Sequence, residues 1–173
     1  MNRTVLFVGL LIAAVLVAIL FLGLGKDPSE IRSPLIGKPA PSFALREVGT
    51  GRTVDVTQFK GKPMVINFWA TWCAPCWEEH PVLVANARML QPDVQFLGVV
   101  FQDKEDKILG FLNERGTSYP TVVDEAGKTA IAYGVGGVPE TFFLDANGVI
   151  RAKYAGPMSP DILRENLQKA MKQ

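Results

Sequence analysis

An α/β fold with a mixed central sheet flanked by helices, preceded by a transmembrane helix, is predicted by three observations on this sequence of 173 residues. An uncharged run fills residues 4–25, buried-strand runs alternate with helical patterns from about Thr53 onward, and the last part changes to two strands joined through an Asn-Gly pair before a closing helix. The hydrophobic fraction of 48% suits a packed core, and the length sets one domain as the starting assumption.

Taken in order, Thr4–Gly25 (TVLFVGLLIAAVLVAILFLGLG) spans roughly 33 Å as a helix, enough to cross a bilayer. A cleaved signal peptide is the alternative, but its apolar region usually runs about 7–15 residues, and this one is longer. Arg3 precedes the run, while Lys26 after it is balanced by Asp27 and Glu30; residues 1–3 are read as cytoplasmic and the remainder as exported. Residues 26–36 are rich in proline and polar side chains and read as a tether, which leaves 37–173 as the domain. Beyond Arg3 the chain carries 17 basic against 17 acidic residues, so there is no electrostatic footprint for nucleic acid.

Within the domain, Met64–Trp69 (MVINFW) is a buried strand leading straight into Cys73 and Cys76. Ala74–Leu90 has a helical pattern that stops before Pro92-Asp93, and Val94–Phe101 is the next buried strand. Lys104–Arg115 reads as a surface helix ending at Gly116, followed by a short strand at Thr121–Asp124 and a helical turn at Lys128–Tyr133. Thr141–Asp145 and Val149–Tyr154 form a hairpin around Asn147-Gly148, and Ser159–Met171 closes as a helix with Ser159 as N-cap and Pro160 first.

Cys73 and Cys76 are the only cysteines, and C-x-x-C admits a redox dithiol, half a metal site, a haem attachment point or a structural disulfide. Haem attachment requires histidine where Trp77 stands, and a tetrahedral zinc site requires about four ligands where the chain offers two thiols and His80. A disulfide closing so short a loop adds little stability. A redox role fits the strand-to-helix position: the helix N-terminus favours thiolate at an exposed Cys73, which attacks, and Cys76, one turn further in and more buried, resolves the mixed disulfide.

FWATWCAPC resembles the active site of thioredoxin-like proteins, with Pro81 where that fold has its helix-kinking proline and Gly137-Val138-Pro139 similar to its cis-proline loop. The resemblance implies a thioredoxin fold in which Pro139 packs beside Cys73 and the loop backbone is free to pair with an extended substrate. Over about Leu35–Lys172, GKPAPSFAL, the segment Asp103–Gly127 and YGVGGVPETFFLD resemble the CcmG/DsbE thiol:disulfide interchange family of membrane-anchored cytochrome c maturation reductases. VPE is the most specific element, because general reductases resembling TlpA or ResA tend to carry threonine at the position of Glu140. Glu79 falls where the family also has an acidic residue.

This resemblance implies a reductase in the inner membrane with its domain in the periplasm. Its substrate is apocytochrome c or another maturation protein, it uses no cofactor or metal, and it is re-reduced by an inner-membrane thiol donor of the DsbD or CcdA type. Cys73 and Cys76 form the redox-active disulfide, and Trp72, Glu79, Pro139 and Glu140 support them. Carboxylates at Glu79 and Glu140 are expected to oppose a Cys73 thiolate and make the couple more reducing. Glu78 reads as a solvated first-turn residue. Asn67 replaces the buried aspartate of thioredoxins, which leaves proton transfer to water or Glu79. Trp72 is expected as an exposed contact platform, Trp69 as core, and His80 as a surface or helix-packing residue. Rival readings are a general thiol reductase, oxidant or isomerase, and an apocytochrome-binding module without turnover. A peroxidase signature would need proline at Ile66 and threonine at Ala70.

Overall fold

A computed structural model describes residues 2–23 and 33–172. The N-terminal helix and the domain are separate compact units. Helix α1, Arg3–Gly23, has 21 residues without a charge beyond Arg3 and is long and apolar enough to cross a membrane. Of the expected tether, residues 26–32 lie outside the described residues, while Leu35 already packs against the domain core.

The domain follows the order β1 (Ala44–Glu47), β2 (Thr53–Asp55), β3 (Met64–Trp69), α2 (Ala74–Leu90), β4 (Gln95–Phe101), α3 (Glu105–Arg115), β5 (Thr121–Asp124), α4 (Lys128–Tyr133), β6 (Glu140–Leu144), β7 (Ile150–Ala155) and α5 (Pro160–Met171). The described strands make one mixed sheet ordered β2-β1-β5-β4-β3-β6-β7. β3, β4 and β5 run parallel, whereas β6 is antiparallel to β3 and β7 to β6. The β1–β2 hairpin is not among the predicted elements; it adds antiparallel strands beyond β5, turning through Gly49 and Gly51 at positive φ.

Side chains alternate across the sheet, and this alternation divides the core. Ile66 and Phe68 of β3 join Leu97, Val99, Phe142 and Tyr133 of α4 on one face. Val65 packs on the other face with Phe96, Phe143, Leu83 of α2 and Leu163 of α5, and Trp69 with Ile108 and Phe111 of α3. Each such side chain contributes roughly 1.5–3 kcal/mol by leaving water. Both faces are covered, which explains why β3 is buried at all six positions and reads as a continuous apolar run.

Candidate active site

β3 ends at Trp69, and the turn through Thr71 and Trp72 delivers Cys73 as the N-cap of α2. The two cysteines form a disulfide with Cα atoms 5.3 Å apart, and the Cys76 N–H donates to Cys73 Sγ at 3.3 Å. On reduction that N–H and the helix N-terminus favour a thiolate at Cys73. The expected burial order holds, with Cys76 2% exposed, but Cys73 at 5% is not the open thiol the sequence predicts in this oxidised form. Trp72 is 59% exposed, as a contact platform requires. The turn is pinned from behind: Asp103 Oδ2 accepts from Thr71 N and Oγ1, each at 2.7 Å, and the Trp77 indole donates to Thr71 O at 2.8 Å.

Pro81 lies inside α2, and Glu79, one turn after Cys76, points into the protein at 1% exposure. Asn67 Nδ2 donates to Glu79 Oε1 at 2.8 Å and to Thr141 Oγ1 at 3.1 Å, and Met158 N donates to Glu79 Oε2 at 2.9 Å. Burial pushes the Glu79 carboxyl up to about 7, against the opposing pull of the Asn67 and Met158 hydrogen bonds. Glu79 is therefore a buried, near-neutral titrating acid, whereas Glu78 is exposed.

The loop before β6 carries a cis peptide at Val138–Pro139. Pro139 is buried, and Val138 packs against the cluster containing Cys73 and Cys76. Pro139 O accepts from Gly156 N at 2.9 Å, while the Val138 N–H and C=O have no hydrogen bond within the described residues. Glu140 departs from expectation. It pairs with Phe68 in the β3–β6 register and so faces the α4 side of the sheet, opposite Asn67, Thr141 and Glu79. Its carboxylate, in a residue 3% exposed, lies 2.8 Å from the Lys153 ammonium. Oε2 takes no aligned hydrogen bond, so the ammonium is its close partner, and Oε1 accepts from Gly136 N at 3.2 Å. The Lys153 ammonium thus stands beside the Glu140 carboxylate.

Two further aromatic side chains pack around this core. Trp69 is buried, and His80 is a packing residue rather than a surface one, its Nε2 2.8 Å from Gly116 O and its ring edge-on to Phe111. No cluster of metal-ligating side chains occurs among the described residues. Sequence reading missed Lys153, Thr141 and Asp103. An alternating β7 with one lysine among apolar neighbours was the available signal for Lys153; Thr141 and Asp103 had none.

The family model described as Redoxin matches residues 35–171. The thiol:disulfide interchange protein DsbE of Pseudomonas fluorescens biotype C is 38% identical over 168 residues, covering 96% of this chain and 93% of that one. DsbE of Escherichia coli K12 is 35% identical, with 97% and 94% covered, and the thiol:disulfide interchange protein HelX of Rhodobacter capsulatus is 35% identical, with 96% and 95% covered. Among solved structures, a thiol:disulfide interchange protein DsbE from Chlorobium tepidum is similar at a TM-score of 0.72 and 28% identity, over 78% of this chain and 96% of that one.

Proposed function

Since the chain belongs to the Redoxin family and, within it, to the CcmG/DsbE thiol:disulfide interchange proteins, and is a thiol:disulfide oxidoreductase of thioredoxin fold, we propose that it works as a membrane-anchored periplasmic reductase of apocytochrome c or a maturation partner. The observation that carries this reading is a Cys73–Cys76 pair at a helix N-terminus with the buried Glu79 carboxyl one turn behind it, held by Asn67 and the Met158 N–H. Residues 4–25 anchor the protein in the inner membrane, and the domain after the tether stands in the periplasm.

In the reduced protein, Cys73 thiolate attacks one sulfur of the substrate disulfide. A Cys73–substrate bond forms, the substrate S–S bond breaks, and the second substrate sulfur leaves as a thiolate that takes a proton. Glu79 accepts the Cys76 proton, Cys76 thiolate attacks Cys73 Sγ and expels the first substrate sulfur as a thiolate, and Glu79 gives up its proton to that sulfur. Two electrons and two protons have passed to the substrate, and the protein is left with the Cys73–Cys76 disulfide. Trp72 supports the docked chain, and the Val138–Pro139 backbone pairs with it. In an oxidising compartment the disulfide must be reduced again, for which a dithiol donor in the inner membrane of the DsbD or CcdA type is the partner.

The test is the reduction potential of the Cys73–Cys76 couple, equilibrated against a defined thiol buffer, together with turnover on a peptide bearing an oxidised C-x-x-C-H motif. A potential clearly more reducing than about −180 mV with peptide reduction is the expected result; one near about −120 mV, the region of strong oxidants, overturns it.

A further inference from the structure

All three polar groups of Thr71 are held. Asp103 Oδ2 accepts from its N–H and from its hydroxyl, each at 2.7 Å, and its carbonyl accepts from the Trp77 indole at 2.8 Å. Hydrogen bonds to a carboxylate are of the stronger, charge-assisted kind. The second oxygen of that carboxylate, Oδ1, accepts from Lys104 N at 2.8 Å, which fastens Asp103 to the head of α3. Thr71 in turn lies inside the turn that Cys73 N closes on Ala70 O at 3.3 Å, so one side chain joins the start of α3 to the approach to the dithiol. A strained backbone brings the carboxylate there. Gln102, directly after β4, has φ 46°, the only positive φ outside glycine among the described residues. Glutamine rarely adopts that conformation, and strain of this kind gathers at functional sites.

The residue carried by this turn is Trp72. At 59% exposure its ring has little protein around it, so its direction is set by the backbone on which it stands. An aromatic platform contributes most to binding an extended chain when it is in place before the chain arrives, because ordering it on binding subtracts from affinity. We infer that Asp103 is a positioning residue of the reaction: through Thr71 it fixes the Ala70–Cys73 turn, so that Trp72 stands ready as a platform for the polypeptide that brings its disulfide to Cys73. This rests on the reductase reading above and adds to it the residue that prepares the platform. It also gives the segment Asp103–Gly127 a link to the chemistry through its first residue.

Two substrates separate this role from a merely structural one. An oxidised C-x-x-C-H peptide is long enough to lie across Trp72; bis(2-hydroxyethyl) disulfide is not. With the full-length protein reduced in detergent, Asp103→Ala is expected to raise KM for the peptide about fivefold, with turnover of the small disulfide within about twofold of wild type. Thr71→Val, which loses the hydroxyl and keeps the N–H, is expected to raise the peptide KM about threefold, and Thr71→Ser to keep the wild-type value. Because the effect runs through Trp72, Asp103→Ala is expected to add no further rise in a Trp72→Ala background. An unchanged peptide KM in Asp103→Ala, equal losses on both substrates, or a full additional rise on top of Trp72→Ala overturns the inference. Should Asp103→Ala fail to fold, Thr71→Val decides, and an unchanged peptide KM in that variant overturns it as well. A wild type that reduces the small disulfide and not the peptide overturns the reductase reading, and the inference with it.

Discussion

Two glutamates are buried on opposite faces of the same sheet, and their neighbours give them different work. Glu79, on the α2 face, meets only neutral donors, the Asn67 amide and the Met158 N–H, and burial raises its carboxyl to about 7. Glu140, on the α4 face, meets an ammonium 2.8 Å away. Burial pushes a carboxyl without a cation toward its neutral form; one beside a cation has a charge to pair with. Which of the two a glutamate becomes is decided by what packs around it.

The most severe break in this comparison is Lys153→Met, which leaves the Glu140 charge buried alone and is expected to cost about 3–5 kcal/mol. Urea unfolding measures it, and exchanging both partners for apolar residues of similar volume is expected to recover most of the loss. Next comes the pH dependence of stability. The Glu79 carboxyl is raised from 4.5 to about 7 on folding, so between these values the folded state binds the extra proton and stability falls as pH rises, by on the order of 3 kcal/mol in total. Below pH 4.5 both states are protonated and above about 7 neither is, so the slope disappears at both ends. Glu79→Gln is expected to remove that slope, and unfolding curves at a series of pH values check it. The smallest effect is kinetic: the same variant is expected to slow release of a mixed disulfide by Cys76 about a hundredfold at pH 8 and to flatten its rise through pH 7, as read by quenched-flow trapping.

The elements nearest the dithiol were the easiest to read. β3, α2, β5 and α4 run over the residues their patterns indicate, because periodicity, the Cys73 cap and the glycine stops are local signals. The β1–β2 hairpin escaped because its strands are short and half exposed, and β1 finds its partner in the distant β5. The site was legible as residue types rather than as environments. In sequence Glu79 resembles any first-turn glutamate; Asn67 from β3 and Met158 from the loop before α5 enclose it. Likewise, nothing within VPE announces that a lysine from β7 will stand beside its glutamate.

The order of assembly along the chain has its own consequence. Ribosomes build from the amino end, so Cys73 and Cys76 exist well before Glu140, Lys153 and Met158. A nascent chain halted before β6 carries the dithiol without its substrate loop and without the Met158 N–H that completes the seat of Glu79. On the proposed function, such a fragment holds both cysteines before the loop that docks the partner and the full seat of Glu79 exist. The contacts that seat Glu79 and order the loop before β6 therefore arrive only with the carboxyl-terminal third of the chain.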